Sequence, residues 1–142
     1  MLGVFFSILA GVCMSLQGVF NTRLGEKIGL WETNFIVQIT GLILTLIIMF
    51  MAGNGNFKNI KSANKIYLLG GILGVFIIYF VMKGIELLGP TYSISSILIA
   101  QLTAAGIIDA FGLFGSKQIK FGINEFAGVI IMIIGIIVFK LK

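Results

Sequence analysis

LGVFFSILAGVCMSLQGVFNTRLG, Leu2–Gly25, decides how the rest of the chain is read. Wound at about 100° per residue, it separates into two faces. One face carries Gly3, Ser7, Ala10, Gly11, Ser15, Gln17, Gly18, Asn21, Thr22 and Gly25. The other carries Phe5, Ile8, Leu9, Val12, Leu16, Val19 and Phe20. In lipid, the bulky face suits acyl chains, while the small face admits a second helix and offers Gln17 and Asn21 as hydrogen-bonding groups. The stretch reads as a membrane helix lining a polar interior.

Composition supports that reading. Of 142 residues, 58% are hydrophobic and 11% charged, and the mean hydropathy is +1.13. A soluble domain carries roughly 25% charged residues, so this chain is an all-α, multi-pass protein of the cell membrane with the bilayer as its solvent. The net charge of +5 comes from basic residues at the ends of apolar runs, a pattern that the bilayer explains without nucleic acid. The chain has no His and one Cys, which argues against a disulfide framework or a His/Cys metal site. Cys13 reads as a small packing residue. The opening run lacks the basic flank of a signal peptide and is expected to stay as a helix.

A membrane crossing takes about 20 mostly apolar residues. Five segments meet that length, at approximately 2–22, 33–51, 66–88, 91–114 and 125–139, and the whole of 1–142 reads as a single transmembrane domain. Arg23–Glu32 is expected to be a polar connection, with Gly25 and Gly29 as breakers and Trp31 at interfacial depth. Gly53–Lys65 is the long aqueous loop. Gly89-Pro90 starts the fourth span, with Pro90 suited to a first helical turn. Lys83 and Glu86, three residues apart, should pair. Tyr67 and Tyr92 read as further interfacial anchors.

Five spans place the termini on opposite sides. One side receives Lys58, Lys61, Lys65, Lys117 and Lys120; the other receives Arg23, Lys27, Lys83, Lys140 and Lys142. Orientation follows an excess of Lys and Arg on the cytoplasmic side, and here the sides balance. The expectation is dual topology, with antiparallel homodimers forming a ten-helix inverted-repeat bundle, an architecture used by secondary transporters. The alternative is one fixed orientation with an inverted homologous chain as partner.

Polar groups at bilayer depth need a partner or a wet cavity. Gln17, Asn21, Gln38 and Gln101 are expected at similar depth from three spans, and amides donate and accept without a charge, as a substrate of modest or no charge requires. The competing reading is that they only hold helices together. Asp109, inside the fourth span, is the candidate for proton or charge coupling, or else pairs with a base such as Lys117. Gly11, Gly18, Gly128 and Gly135 are assigned to helix or dimer packing. No catalytic constellation, metal site, cofactor motif or nucleic-acid surface is recognisable, so an enzyme is not expected.

Several blocks resemble the YdcZ family of small five-helix proteins in the drug/metabolite transporter superfamily. They are Gln17-Gly18-Val19-Phe20-Asn21-Thr22-Arg23-Leu24-Gly25, Gly89 to Ser93, Ala100-Gln101-Leu102, and Asp109-Ala110-Phe111-Gly112-Leu113-Phe114-Gly115. The resemblance implies a transporter-like bundle built from single five-helix chains, paired chains or fusions. Small multidrug resistance proteins of that superfamily use a first-helix glutamate, where this sequence offers Gln17 and Asn21 instead. The function expected is therefore secondary transport of a small polar or cationic metabolite by alternating access between two antiparallel protomers. The alternative is a non-transporting membrane interaction subunit of a larger complex.

Overall fold

A computed structural model describes residues 1–119 and 122–141. It contains five α-helices: α1 Leu2–Ile28, α2 Leu30–Ala52, α3 Gly70–Leu88, α4 Pro90–Phe111 and α5 Ile123–Lys140. Short 3-10 turns at Phe57–Lys61, Lys65–Leu69 and Leu113–Gly115 fill the connections. Leu2–Ile28, Leu30–Ala52, Lys65–Leu88 and Pro90–Phe111 are long and apolar enough to cross a membrane. The fifth apolar helix, Ile123–Phe139, is shorter. At about 1.5 Å per residue it spans roughly 26 Å, close to the lower limit for a bilayer core of about 30 Å.

Several boundaries differ from the sequence expectation; one is the start of α3, at Gly70 and not near residue 66, with the 3-10 turn Lys65–Leu69 before it. Arg23–Glu32 is not a loop. Helix α1 continues to Ile28, and the break before α2 is the single residue Gly29, at φ 102 and ψ 153. The reason lies in residue type. Arg23, Glu26 and Lys27 are good helix formers, and the Arg23 guanidinium pairs with the Glu26 carboxylate at 2.9 Å, one turn away. Polarity there marks a helix leaving the apolar layer, not its end. Gly25 lies inside α1 and serves packing, not termination.

The fourth helix stops at Phe111, three residues before the expected end near Phe114. Gly112 takes the left-handed conformation, φ 60, and its N–H donates to the carbonyls of Asp109 and Ile108. The chain then folds back onto the helix end. Ile119 N–H donates to Asp109 O at 2.9 Å, and the Gln118 side-chain amide donates to Ala110 O at 2.9 Å. The last carbonyls of α4 are thereby satisfied. Helix α5 begins at Ile123, earlier than Glu125, and the Glu125 carboxylate accepts from Gly122 N–H at 2.8 Å, as an N-terminal cap.

The chain forms two compact units, Met1–Leu87 and Leu88–Lys142. In the first, Met82 and Ile85 of α3 are the buried apolar residues, and most large apolar side chains face outward. Outward apolar residues are what a helix bundle in lipid requires, since the bilayer and not the protein interior solvates them. Lys120 and Lys142, both counted in the charge balance, lie outside the described residues.

Candidate functional site

The first unit gathers its buried polar groups where α1, α2 and α3 meet. Gly18, Asn21, Thr22 and Gly25 make one edge of α1, at spacings of three, one and three. Gly18 sets the closeness of approach to α3: a Cβ there would stand 2.9 Å from Ile85 Cδ1 and 3.0 Å from Val81 Cγ1. A Cβ on Gly25 would meet Leu30 at 3.0 Å, Thr33 Oγ1 at 3.7 Å and Met82 Sδ at 3.8 Å. Small residues on α1 thus bring its backbone against both neighbours.

Between these glycines, Asn21 is buried to 7% exposure. Thr22 is buried as well and donates its hydroxyl to Gly18 O at 2.7 Å. From α2, Thr33 and Asn34 are buried to 0% and 2%. The Asn34 amide donates to the Val75 carbonyl of α3 at 2.8 Å, while Asn34 Oδ1 and Thr33 Oγ1 have no hydrogen-bond partner. One turn further along α2, Gln38 is half-buried with its Nε2 over Gly74, 3.8 Å from where a Cβ would be. Trp31 stacks on Tyr79 with ring centroids 4.6 Å apart and planes at 16°, joining α2 to α3 beside the junction. The expected interfacial anchor is thus also an interhelical contact.

Of the four amides singled out from sequence, Asn21 and Gln38 lie within the first unit's helix contacts. Gln17 is exposed at the margin of the same α1 edge, and Gln101 is exposed on α4 in the second unit. Thr33 and Asn34 escaped the sequence reading. Thr33 stood at an assumed helix boundary. Asn34 had a usable signal, since it precedes Gln38 by four residues just as Gln17 precedes Asn21, and both pairs therefore share a face.

The second unit has a different kind of site. A cleft of about 500 Å³ runs along α4 and α5, with Asp109 and Glu125 among apolar residues that include Leu102, Ile119, Val129 and Met132. Asp109 is half-buried in the last turn of α4. Among the described residues the ion pairs are Arg23–Glu26 and Lys83–Glu86, so the suggested pairing of Asp109 with Lys117 does not form. The expected Lys83–Glu86 pair does, at 3.0 Å. Glu125 is a second acid at this cleft, read from sequence only as the start of a span.

The four packing glycines separate cleanly. Gly18 is tightly covered, whereas a Cβ on Gly11, Gly128 or Gly135 would meet nothing within 4 Å. Among the described residues, no group of three or more His, Cys, Asp or Glu side chains could hold a metal ion.

A family model described as "Putative inner membrane exporter, YdcZ" matches residues 2–138. No curated protein and no solved structure matches the chain.

Proposed function

The chain belongs to the YdcZ family, and on that premise we propose that it moves a small polar or cationic metabolite by alternating access between two antiparallel protomers. It is a multi-pass inner-membrane protein and a transporter; the substrate class, the pairing and the mechanism are the proposal. The substrate-binding amides of this reading are Gln17, Asn21 and Gln38 in the first unit and Gln101 in the second. Asp109 responds to charge, either by taking up a proton or by meeting a cationic group at the cleft it shares with Glu125. The observation that carries this reading is the family match over residues 2–138; the closely packed edge of α1 around Asn21 is what the interaction-subunit reading expects. Buried amides in a membrane helix require partners, and a solute is one.

The antiparallel pairing rests on the balance of basic residues, five to each side. Reporters fused to the carboxyl end test it: two populations of opposite orientation are expected, and a single orientation would refute dual topology.

Transport is tested in proteoliposomes, first by screening radiolabelled polar and cationic metabolites for counterflow. With a substrate found, Gln17→Leu combined with Asn21→Leu is expected to abolish flux while preserving the wild-type elution profile in detergent. Normal flux by that variant would make the α1 edge a packing device and favour an interaction subunit.

A further inference from the structure

Thr33 carries a fully buried helical hydroxyl without a hydrogen-bond partner. Ser7, Ser15, Thr22, Ser96 and Thr103 each donate to the carbonyl four residues earlier, at 2.7–3.0 Å. That bond satisfies the hydroxyl within its own helix. The equivalent acceptor for Thr33 is Gly29 O, which takes the Thr33 backbone N–H at 3.1 Å, yet Thr33 Oγ1 does not join it. The next residue, Asn34, spends its amide on Val75 O and leaves Oδ1 without a partner. A donor and an acceptor are therefore both buried without partners on one turn of α2. Buried polar groups nearly always find partners, and each exception calls for an explanation.

We propose that Thr33 and Asn34 are solute-contacting groups, hidden in this conformation and presented to an uncharged, hydrogen-bonding solute when the α1–α2–α3 junction opens. The inference rests on the transport reading above and names the chemistry that this part of the site accepts. Three observations support it. Both unpartnered atoms are closed to water, so they gain partners only if the helices part. Thr33 lies four residues inside the Gly29 break, roughly 6 Å along the helix, so a small opening from the aqueous end reaches it. The buried polar residues described in the first unit are Asn21, Thr22, Thr33 and Asn34, all neutral. A charged solute at the junction would lose its hydration without meeting a counter-charge, whereas a hydroxyl or amide finds both a donor and an acceptor.

The open state is tested with water-soluble thiol reagents. Cys13, exposed on α1, is first replaced in a Cys13→Ser background. Thr33→Cys, Asn34→Cys and a mid-helix control on the outer surface of α2, Leu44→Cys, are then reconstituted in liposomes. Each is treated with methanethiosulfonates bearing a neutral hydroxyethyl, a cationic trimethylammonium or an anionic sulfonate group. The neutral reagent is expected to modify positions 33 and 34 about tenfold faster than either charged reagent, and about tenfold faster than position 44. Labelling no faster than at position 44 would overturn the proposal, as would equal or faster reaction with a charged reagent. Should a variant fail to elute like the parent, Asn21→Cys on the facing edge of α1 is scored by the same criteria. Measurable flux through the parent protein alongside absent labelling would sink this inference and leave the transport reading standing.

Discussion

The two units handle intramembrane polarity in opposite ways. In Met1–Leu87, neutral groups are buried between closely approaching helices, with Gly18 and Gly25 permitting the approach. In Leu88–Lys142, ionisable groups border an open cleft, and a Cβ added to Gly128 or Gly135 of α5 would meet nothing within 4 Å. The contrast follows from desolvation. A buried amide or hydroxyl loses a few kcal/mol at most if unpaired, while a buried unpaired carboxylate loses far more and so stays where water or a counter-ion can reach it. Tight packing is open to the first unit because its buried polar residues carry no charge.

The contrast breaks most sharply at Gly18. A leucine there would collide with Ile85 and Val81, which already stand within 3.0 Å of an added Cβ. Gly18→Leu is expected to destabilise the protein by about 3 kcal/mol, through separation of α1 from α3. Thermal unfolding in detergent, followed by circular dichroism, measures the loss. Trp31 is the only tryptophan, and its stack on Tyr79 makes its emission a reporter of the same unit. A red shift in Gly18→Leu would show the disturbance spreading across the junction. Unchanged stability would mean that the close approach of α1 and α3 is not required.

A smaller effect is expected in the second unit at Gly112. Its φ of 60 belongs to the left-handed region, and an added Cβ would also press on Gln118 Cβ at 3.3 Å and Ser116 O at 3.4 Å. Gly112→Ala should lower stability by about 1 to 2 kcal/mol, because a non-glycine residue there meets its own carbonyl. The backbone turn holds Asp109 at the helix end, so hydrogen exchange should quicken at Ile119, whose N–H donates to Asp109 O. Slow, unchanged exchange at Ile119 would separate the turn from the placement of Asp109.

What the sequence could reveal depended on which physical constraint acted alone. Bilayer thickness acts on composition, so the five apolar helices were readable from their runs without knowledge of any contact. The ends near Leu88 and Pro90 were readable as well, but those near Ile28 and Phe111 were not, because two mechanisms compete there. At Arg23–Ile28 polar residues look like a loop, yet they are helix formers that keep the turn going once it reaches water. At Phe111 the apolar run continues through Leu113 and Phe114 although the helix stops, since Gly112 supplies a left-handed cap. Of the site, Asn21 and Gln38 were legible as polar residues in apolar helices. Thr33 was hidden by the misplaced start of α2, and Asn34 shows its meaning only through the Val75 carbonyl opposite. The roles of glycines were the least legible: Gly18 and Gly128 are the same residue in similar surroundings, and only the position of the neighbouring helix separates them.

That last pair gives the smallest expected effect and the finest test of the comparison. A Cβ on Gly128 meets nothing within 4 Å, and the residue borders a cleft of about 500 Å³ with room for a larger side chain. Gly128→Leu should therefore change the stability of a single chain by no more than about 0.5 kcal/mol, the range of substitutions that disturb no contact. Its consequence belongs instead to association. If the open glycine face of α5 meets a second protomer, as the antiparallel pairing supposes, the leucine blocks close helix approach and lowers the dimer fraction at constant helix content. Analytical ultracentrifugation in density-matched detergent reads the dimer fraction, and circular dichroism the helix content. A dimer fraction unchanged from wild type would remove α5 from the interface. A stability loss as large as that of Gly18→Leu would show that the second unit packs as tightly as the first.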